Sequence, residues 1–340
     1  GTAAMNIRLS LERAWYRPVS WALLLLPLSW LFRAVSNGRR FYYQRINPTC
    51  PLPIPVIVVG NISVGGTGKT PLLAALVVIF QAQGYRPGII SRGYGGSATH
   101  YPQQVTDTST AETVGDEPLL LSSLCPVVVD PNRYRAARYL LENTGCNLIF
   151  SDDGLQHYRL PRNIEIVVMD GERGTGNGHC LPAGPLREPF SRLQTADFVV
   201  VNETVASLGI PHQGTFKLSP VHFRQLATGT SVAVGSWSLG RRVHAVAGIG
   251  NPARFAHTLT SLGFEPILHP LPDHHRFTGE ELCFDDGLPV IITAKDAVKC
   301  VADSSDNVWV LDVQAEPDPP FIERLMRDVR RLTETANTTP

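Results

Sequence analysis

Gly65, Gly66 and Gly68 stand directly ahead of Lys69 and Thr70 in the stretch Val59-Gly-Asn-Ile-Ser-Val-Gly-Gly-Thr-Gly-Lys-Thr-Pro71. Residue types in this order serve phosphate chemistry. Glycines let successive backbone N–H groups turn inward around phosphate oxygens, and a helix starting at the lysine adds its partial positive charge. Lys69 would reach the β- and γ-phosphates, and the Thr70 hydroxyl would hold Mg²⁺. Ser63, Val64 and Thr67 complete the loop. Ser63 stands where the pattern G-x-x-x-x-G-K-[ST] has glycine, so the strict match breaks at its first position while the phosphate-facing half is kept. The competing reading is a glycine-rich turn that binds nothing. The fully apolar run Val56-Ile-Val-Val before the loop argues for strand, loop and helix, the context a phosphate loop requires.

Asp152 and Asp153 follow a second apolar run, Asn147 to Ser151. Adjacent carboxylates at the end of a buried strand are costly without a cation, and this is where phosphate-loop enzymes keep an Mg²⁺-holding aspartate. A turn cap is the alternative, and it is the simpler reading for Asp170, which ends another apolar run. Gly248-Ile-Gly-Asn-Pro252 lacks the full G-x-G-x-x-G spacing, so no dinucleotide site is expected there.

Those residues need a frame. Further apolar runs occur at 88–91, 126–129, 164–169 and 198–201, with helical patterns at 69–83, 117–124 and 132–142. The alternation predicts βαβ units and a parallel sheet. Past Asn202 the texture changes: short strands at 214–218 and 231–234, then strands at 242–247, 290–293 and 308–313. Helices are expected at 252–262 and 319–332, before a polar, frayed tail from Thr333. The expected fold is α/β: a phosphate-loop NTPase-like domain over 46–204, a connector over 205–238 and a smaller α/β lobe over 239–340. An N-terminal membrane-associated helix region covers 5–45. The 340 residues suffice for such a core, and 30 basic against 30 acidic residues leave no global field for nucleic acid. Six cysteines without a C-x-x-C pair argue against a zinc site or a disulfide scaffold, and fit reduced thiols. Gly1 to Ala4 read as residues placed before a natural start at Met5.

Trp21 to Phe32 reads WALLLLPLSWLF, without a charge. The longer run 19–35 would make about 25 Å of helix, short of a clean bilayer span, with Pro27 expected to kink it. Arg8, Arg13, Arg17, Arg33, Arg39, Arg40 and Arg45 surround it against the single acid Glu12, and tryptophans lie near both ends. No small-residue cleavage site follows, which argues against a signal peptide. The reading is a helix lying in, or only partly crossing, a cytoplasmic leaflet. A buried core helix is the alternative.

Several phrases, in order, carry a family resemblance: Gly60-Asn-Ile-Ser-Val-Gly-Gly-Thr-Gly-Lys-Thr-Pro71, Ser91-Arg-Gly-Tyr-Gly95, Gly115-Asp-Glu-Pro118, Asp152-Asp-Gly-Leu-Gln-His157, Gly248-Ile-Gly-Asn-Pro252, Pro272-Asp-His-His275 and Thr293-Ala-Lys-Asp-Ala-Val-Lys299. With the apolar N-terminal run, the chain resembles the tetraacyldisaccharide 4′-kinases from about Leu9 to Leu332. It departs at Leu155, where many members have Phe, and at Ala294, where Glu is common. The resemblance implies a kinase on the cytoplasmic face of the inner membrane of a Gram-negative bacterium. It would move the γ-phosphate of ATP, with Mg²⁺, to the 4′-hydroxyl of an acylated disaccharide 1-phosphate to give lipid IVA.

It also implies that Asp116 and His274 act together as the base. Asp152, Asp153 and Glu188 are the candidates for metal and phosphate, with Gln156 and His157 orienting that shell. Arg92, Tyr94, Arg133, Arg135 and Gln156 are the candidates for the acceptor sugar or its phosphate. Lys295, Asp296 and Lys299 are expected to stabilise the second lobe. One rival is a membrane-switching ATPase of the partitioning type, whose loop carries a signature lysine where this chain has Val64. Others are a soluble small-molecule kinase and a nucleotide sensor without enzymatic activity.

Overall fold

The computed structural model describes residues 10–17, 19–46, 49–202, 209–300 and 307–338. The start at Met5 and Arg8 lie outside them. One mixed sheet of thirteen strands runs through the molecule. Its first part contains β1 (Val56–Gly60), β2 (Pro87–Ser91), β3 (Gln103–Gln104), β4 (Val127–Val129), β5 (Leu148–Asp152), β6 (Ile164–Asp170) and β7 (Phe198–Asn202). β1 is central, parallel to β5 on one side and to β6 on the other, and Val59 pairs with Asp152. Every residue of β1 is buried, as a strand covered on both faces requires.

The two faces follow the period of two. Ile57 and Val59 face α1 (Lys69–Ala82), which presents Leu72, Leu73, Leu76 and Phe80. Val56 and Val58 face α2 (Arg133–Asn143), through Ala136, Ala137 and Leu140.

The second part joins through β8 (Gly214–Gln225), which runs parallel to β7 at its start and antiparallel to β13 (Val308–Pro317) along most of its length. β8 is therefore much longer than the expected short strand at 214–218, because its hydrogen-bond partners lie about ninety residues away and leave no local signature. β9 (Ser231–Ala233) pairs beside it. β10 (Arg242–Ala247), β11 (Glu265–Pro270) and β12 (Val290–Thr293) add a parallel set ending on β13. α3 (Pro252–Ser261) covers one face, where Phe255 and Leu259 meet Phe223, Trp237 and Trp309.

The final helix, α4 (Pro319–Thr338), extends past Thr333, where the polar tail was expected to begin, and the last two residues of that tail lie outside the described residues. This helix was also expected with the second lobe and packs on the first instead. Phe321, Leu325 and Val329 lie in the core of β1 and α1, with the Phe321 ring 5.4 Å from that of Phe198.

Pro27 does not kink the N-terminal helix. A 3-10 turn, Trp21–Leu25, leads into a helix over Leu26–Phe41, and Pro27 sits in its first turn, where no N–H is needed. The Ser29 hydroxyl docks this helix: it donates to Cys180 O at 2.8 Å and accepts from Ala183 N at 2.9 Å. Among the described residues no helix is long and apolar enough to cross a membrane.

Candidate active site

The phosphate loop is held from below. Asn61, just past β1, donates from Nδ2 to Ser63 O at 2.7 Å and accepts Lys69 Nζ on Oδ1 at 3.2 Å. Val64 N donates to Pro185 O at 2.8 Å. Gly68 has φ 87°, and a Cβ there would lie 2.8 Å from Asn202 Nδ2, so only glycine fits this turn. Asn202 Nδ2 in turn donates to Thr67 O at 3.3 Å, and the Thr67 hydroxyl is buried without a partner. Thr70 lies half-buried in the first turn of α1.

Two carboxylates close one side. Asp153 receives Arg187 Nη1 at 2.8 Å and meets Lys69 Nζ at 3.7 Å. Burial alone would raise its pKa, but Lys69 and Arg187 bring it below the ordinary value. For Asp152 the balance goes the other way: burial and the neighbouring charges of Glu117 and Asp153 outweigh the relief from Lys69 and Arg133 and hold its pKa well above the usual carboxylate range. Its Oδ1 is buried with no hydrogen-bond partner, as is that of Asp153. Two buried carboxylate oxygens without hydrogen bonds beside a phosphate loop suit Mg²⁺, which takes one or two carboxylates and completes its shell with phosphate and water. Among the described residues no group of three or more His, Cys, Asp or Glu is arranged to hold a metal ion by itself.

The second lobe supplies the remaining side. His274 Nδ1 lies 2.9 Å from Asp116 Oδ1 and 3.1 Å from Oδ2, across 158 residues of chain. Burial would raise the Asp116 pKa; the hydrogen bond from His274 and the charge of Lys295 outweigh it and set the value below normal. The Tyr94 ring meets the His274 ring edge-on at 5.2 Å. Asp153 (φ 47°) and His274 (φ 60°) are the non-glycine residues with left-handed backbone among the described residues. Such conformations persist where surroundings enforce them, and here both fall on the site. A Cβ at Gly250 would lie 3.7 Å from Gly66 N, so the second lobe's loop rests over the phosphate loop.

Other expected residues are placed elsewhere. Glu188 has both oxygens engaged by protein: Arg192 Nε donates to one at 3.0 Å and Gln156 Nε2 to the other at 2.8 Å. Gln156 also donates to Asn61 O at 3.2 Å, so its amide braces the loop rather than facing an acceptor. Arg133 is buried and donates to the carbonyls of Asp130 and Asp152, tying the ends of β4 and β5 together. Arg135 is held by both oxygens of Asp130. His157 is half-buried, and burial with nearby arginine charge lowers its pKa to about 4; its Nε2 has no partner. Arg92 and Tyr94 remain exposed; the Tyr94 ring lies against His274, whereas Arg92 carries its charge near Arg133 and makes no ion pair among the described residues.

Sequence reading passed over Asn61, Arg187 and Arg254. Only Asn61 had a usable signal, its place between the strand and the glycines. Arg254, at the start of α3, donates to Asp170 Oδ1 and Oδ2 at 2.8 and 2.6 Å and to Glu172 at 3.1 Å, joining the lobes.

A parallel sheet with a glycine loop, a loop lysine and acidic strand ends defines a P-loop phosphotransferase. The family described as tetraacyldisaccharide-1-P 4′-kinase matches residues 21–330. The tetraacyldisaccharide 4′-kinase of Alkalilimnicola ehrlichii is 50% identical over 325 residues, covering 94% of this chain and 97% of that protein. That of Pseudomonas paraeruginosa is 46% identical, covering 94% and 96%. The crystal structure of the "apo" form of LpxK from Aquifex aeolicus in complex with ATP superposes with a TM-score of 0.74 at 28% identity, covering 92% of this chain and all of that one.

The chain belongs to the tetraacyldisaccharide 4′-kinase family, and as a member it is an ATP-dependent kinase of lipid A biosynthesis. The partitioning-ATPase reading falls with that assignment.

Proposed function

We propose that the chain carries γ-phosphate from ATP to the 4′-hydroxyl of a tetraacylated disaccharide 1-phosphate by way of an Asp116–His274 base. The observation that carries this is their 2.9 Å contact between the two lobes. An alcohol attacking a γ-phosphate needs position, charge neutralisation and somewhere for its proton to go. With Nδ1 committed to Asp116, the free lone pair of neutral His274 is on Nε2. The His274 side chain is 24% exposed and that of Asp116 only 4%, so the imidazole is the half of the pair a hydroxyl reaches. Asp116 orients the ring and stabilises it once it is protonated. Lys69, steadied by Asn61 and Asp153, stands at the loop end to meet negative charge developing on the transferred group. Thr70 and the buried oxygens of Asp152 and Asp153 that lack a hydrogen-bond partner would hold Mg²⁺, which would supply charge neutralisation to the phosphates. Tyr94 borders the pair and, with the exposed Arg92 two residues before it, receives the acceptor.

The N-terminal helix places this chemistry at the cytoplasmic leaflet of the inner membrane. Leu24, Leu28, Leu31 and Val35 form an exposed apolar row, with Trp21 and Trp30 beside them. Exposed apolar area of this extent calls for a partner, and an acylated substrate supplies the reason for it to be lipid.

The test is incubation with ATP, Mg²⁺ and a lipid disaccharide 1-phosphate, with mass analysis for one added phosphate. Asp116→Asn and His274→Ala should each depress single-turnover transfer by orders of magnitude. The double variant should lose far less than the product of the two losses, because members of one catalytic unit are non-additive. Strictly multiplicative losses would show that the residues do not act as a pair.

A further inference from the structure

We infer that Lys295 is a positioning residue for the base: its ammonium, brought from the second lobe, balances the carboxylates around Asp116 and His274 so that the pair is free to take a proton at neutral pH. The inference rests on the Asp116–His274 reading above. Lys295 sits in a short helix, Ala294–Ala297, whose start is fixed by the Thr293 hydroxyl accepting from Asp296 N at 3.2 Å. Its Nζ lies 3.3 Å from Glu117 Oε1, 3.6 Å from Asp273 Oδ1 and 3.7 Å from Asp116 Oδ2. Glu117 and Asp116 belong to the first lobe, Asp273 and Lys295 to the second.

The charges around the pair can be counted. Three carboxylates, those of Asp116, Glu117 and Asp273, surround one imidazole and one ammonium. Asp273 Oδ2 itself comes within 3.7 Å of His274 Nε2. Other nearby cations are committed elsewhere. Lys299 is bound to Asp296 at 2.7 Å and to Gly248 O at 3.0 Å, and reaches Asp116 only at longer range. Arg276 pairs with Glu112 at 2.9 Å on the surface. Tyr94, the remaining side chain against His274, contributes a neutral ring. Burial costs the Lys295 ammonium, but the charges of Glu117, Asp116 and Asp273 more than recover it and raise its pKa, so the lysine stays charged throughout the working range.

Removing that charge has a definite sign. Three unbalanced carboxylates favour the protonated pair, and a protonated pair cannot accept the hydroxyl's proton. The acidic limb of kcat/KM, which belongs to the pair as a unit, then moves to higher pH. An opposite charge within about 4–6 Å shifts a titration by roughly one unit or more. Both His274 and Lys295 ride on the second lobe, so bringing the lobes together delivers the base and the charge that frees it in one motion.

The experiment is the pH profile of kcat/KM for wild type, Lys295→Met, Lys295→Arg and Asp273→Asn, with binding of a fluorescent ATP analogue measured alongside. Lys295→Met should move the acidic limb up by about one pH unit, lose roughly tenfold below the wild-type limb and recover in alkali, with analogue binding unchanged. Lys295→Arg should restore the limb, and Asp273→Asn should move it the other way. In an Asp116→Asn background, Lys295→Met should add little. A uniform loss at every pH, with the limb unmoved, would overturn the inference and leave Lys295 a structural tie. If Lys295→Met does not fold, the Arg and Asp273→Asn profiles decide alone, and an unmoved limb in Asp273→Asn counts against it. Near-wild-type kcat/KM in Asp116→Asn would instead remove the dyad reading, and this inference with it.

Discussion

Asp153 and Glu188 are both acids near the phosphate loop, both were candidates for metal, and their surroundings separate them. Asp153 keeps a buried oxygen with no hydrogen-bond partner, whereas Glu188 spends both of its oxygens on Arg192 and Gln156. Arg192 is 1% exposed and also meets Glu165, which pairs with Arg162, so Glu188 ends a buried ionic chain. Taking one partner from such a chain leaves a buried charge uncompensated and typically costs about 3–5 kcal/mol. Glu188→Ala should therefore lower stability in urea by an amount of that order, while folded protein keeps its Mg²⁺ requirement. Unchanged stability together with a raised Mg²⁺ requirement would return Glu188 to the metal set. Residue types alone made the two acids equivalent. The spacing of four between Glu188 and Arg192 was the available clue to an ion pair, and it passed unread. The bond from Arg133 to the Asp152 carbonyl, by contrast, depends on two strand ends meeting and had no local trace.

At the scale of elements, the N-terminal helix was legible as an apolar run with basic flanks, but its orientation was not. Pro27 suggested a kink; once it is seen to start the helix, the apolar row at 24, 28, 31 and 35 becomes one continuous stripe. The opposite side is fixed by Ala22, fully buried, and by the Ser29 hydroxyl. Because Leu24 is 83%, Leu31 62% and Leu28 54% exposed, replacing all three with Ser removes little packing. Thermal stability should stay within a few degrees of wild type. If each leucine enters the lipid boundary, each contributes about 1.5–3 kcal/mol there, so vesicle affinity should fall at least tenfold per residue. Co-sedimentation with vesicles containing anionic phospholipid reads this directly. Unaltered sedimentation of the triple variant would show that the stripe does not face lipid.

Across the whole molecule, the sequence marked two α/β stretches but not how they join. The long pairing of β8 with β13 connects residues far apart in the chain, and α4 crosses back to the first core through Phe321, Leu325 and Val329. Neither could come from local periodicity, which reports the face of an element and not its partner. The lobes also meet through charge: His274 and Lys295 on Asp116, and Arg254 on Asp170. The Arg254 contact is the most buried of these on its acidic side, with Asp170 at 2% exposure. Asp170 also accepts the N–H groups of Glu172 and Arg173 at 3.0 and 3.2 Å, which hold its carboxylate in place whether or not the arginine arrives. Arg254→Met should then strand a buried carboxylate at the lobe junction and favour separated lobes. Single-turnover transfer should fall by about tenfold or more, because His274 is carried away from Asp116, while ATP binding at the phosphate loop changes little. Asp170→Asn in the same protein removes the stranded charge, keeps an acceptor for the two N–H groups, and should return part of both stability and rate. Small-angle scattering should report a larger radius of gyration for Arg254→Met and a value nearer wild type for the double variant. Equal losses in the single and double variants, with no change in scattering, would mean that Arg254 serves the fold of its own lobe and does not hold the two together.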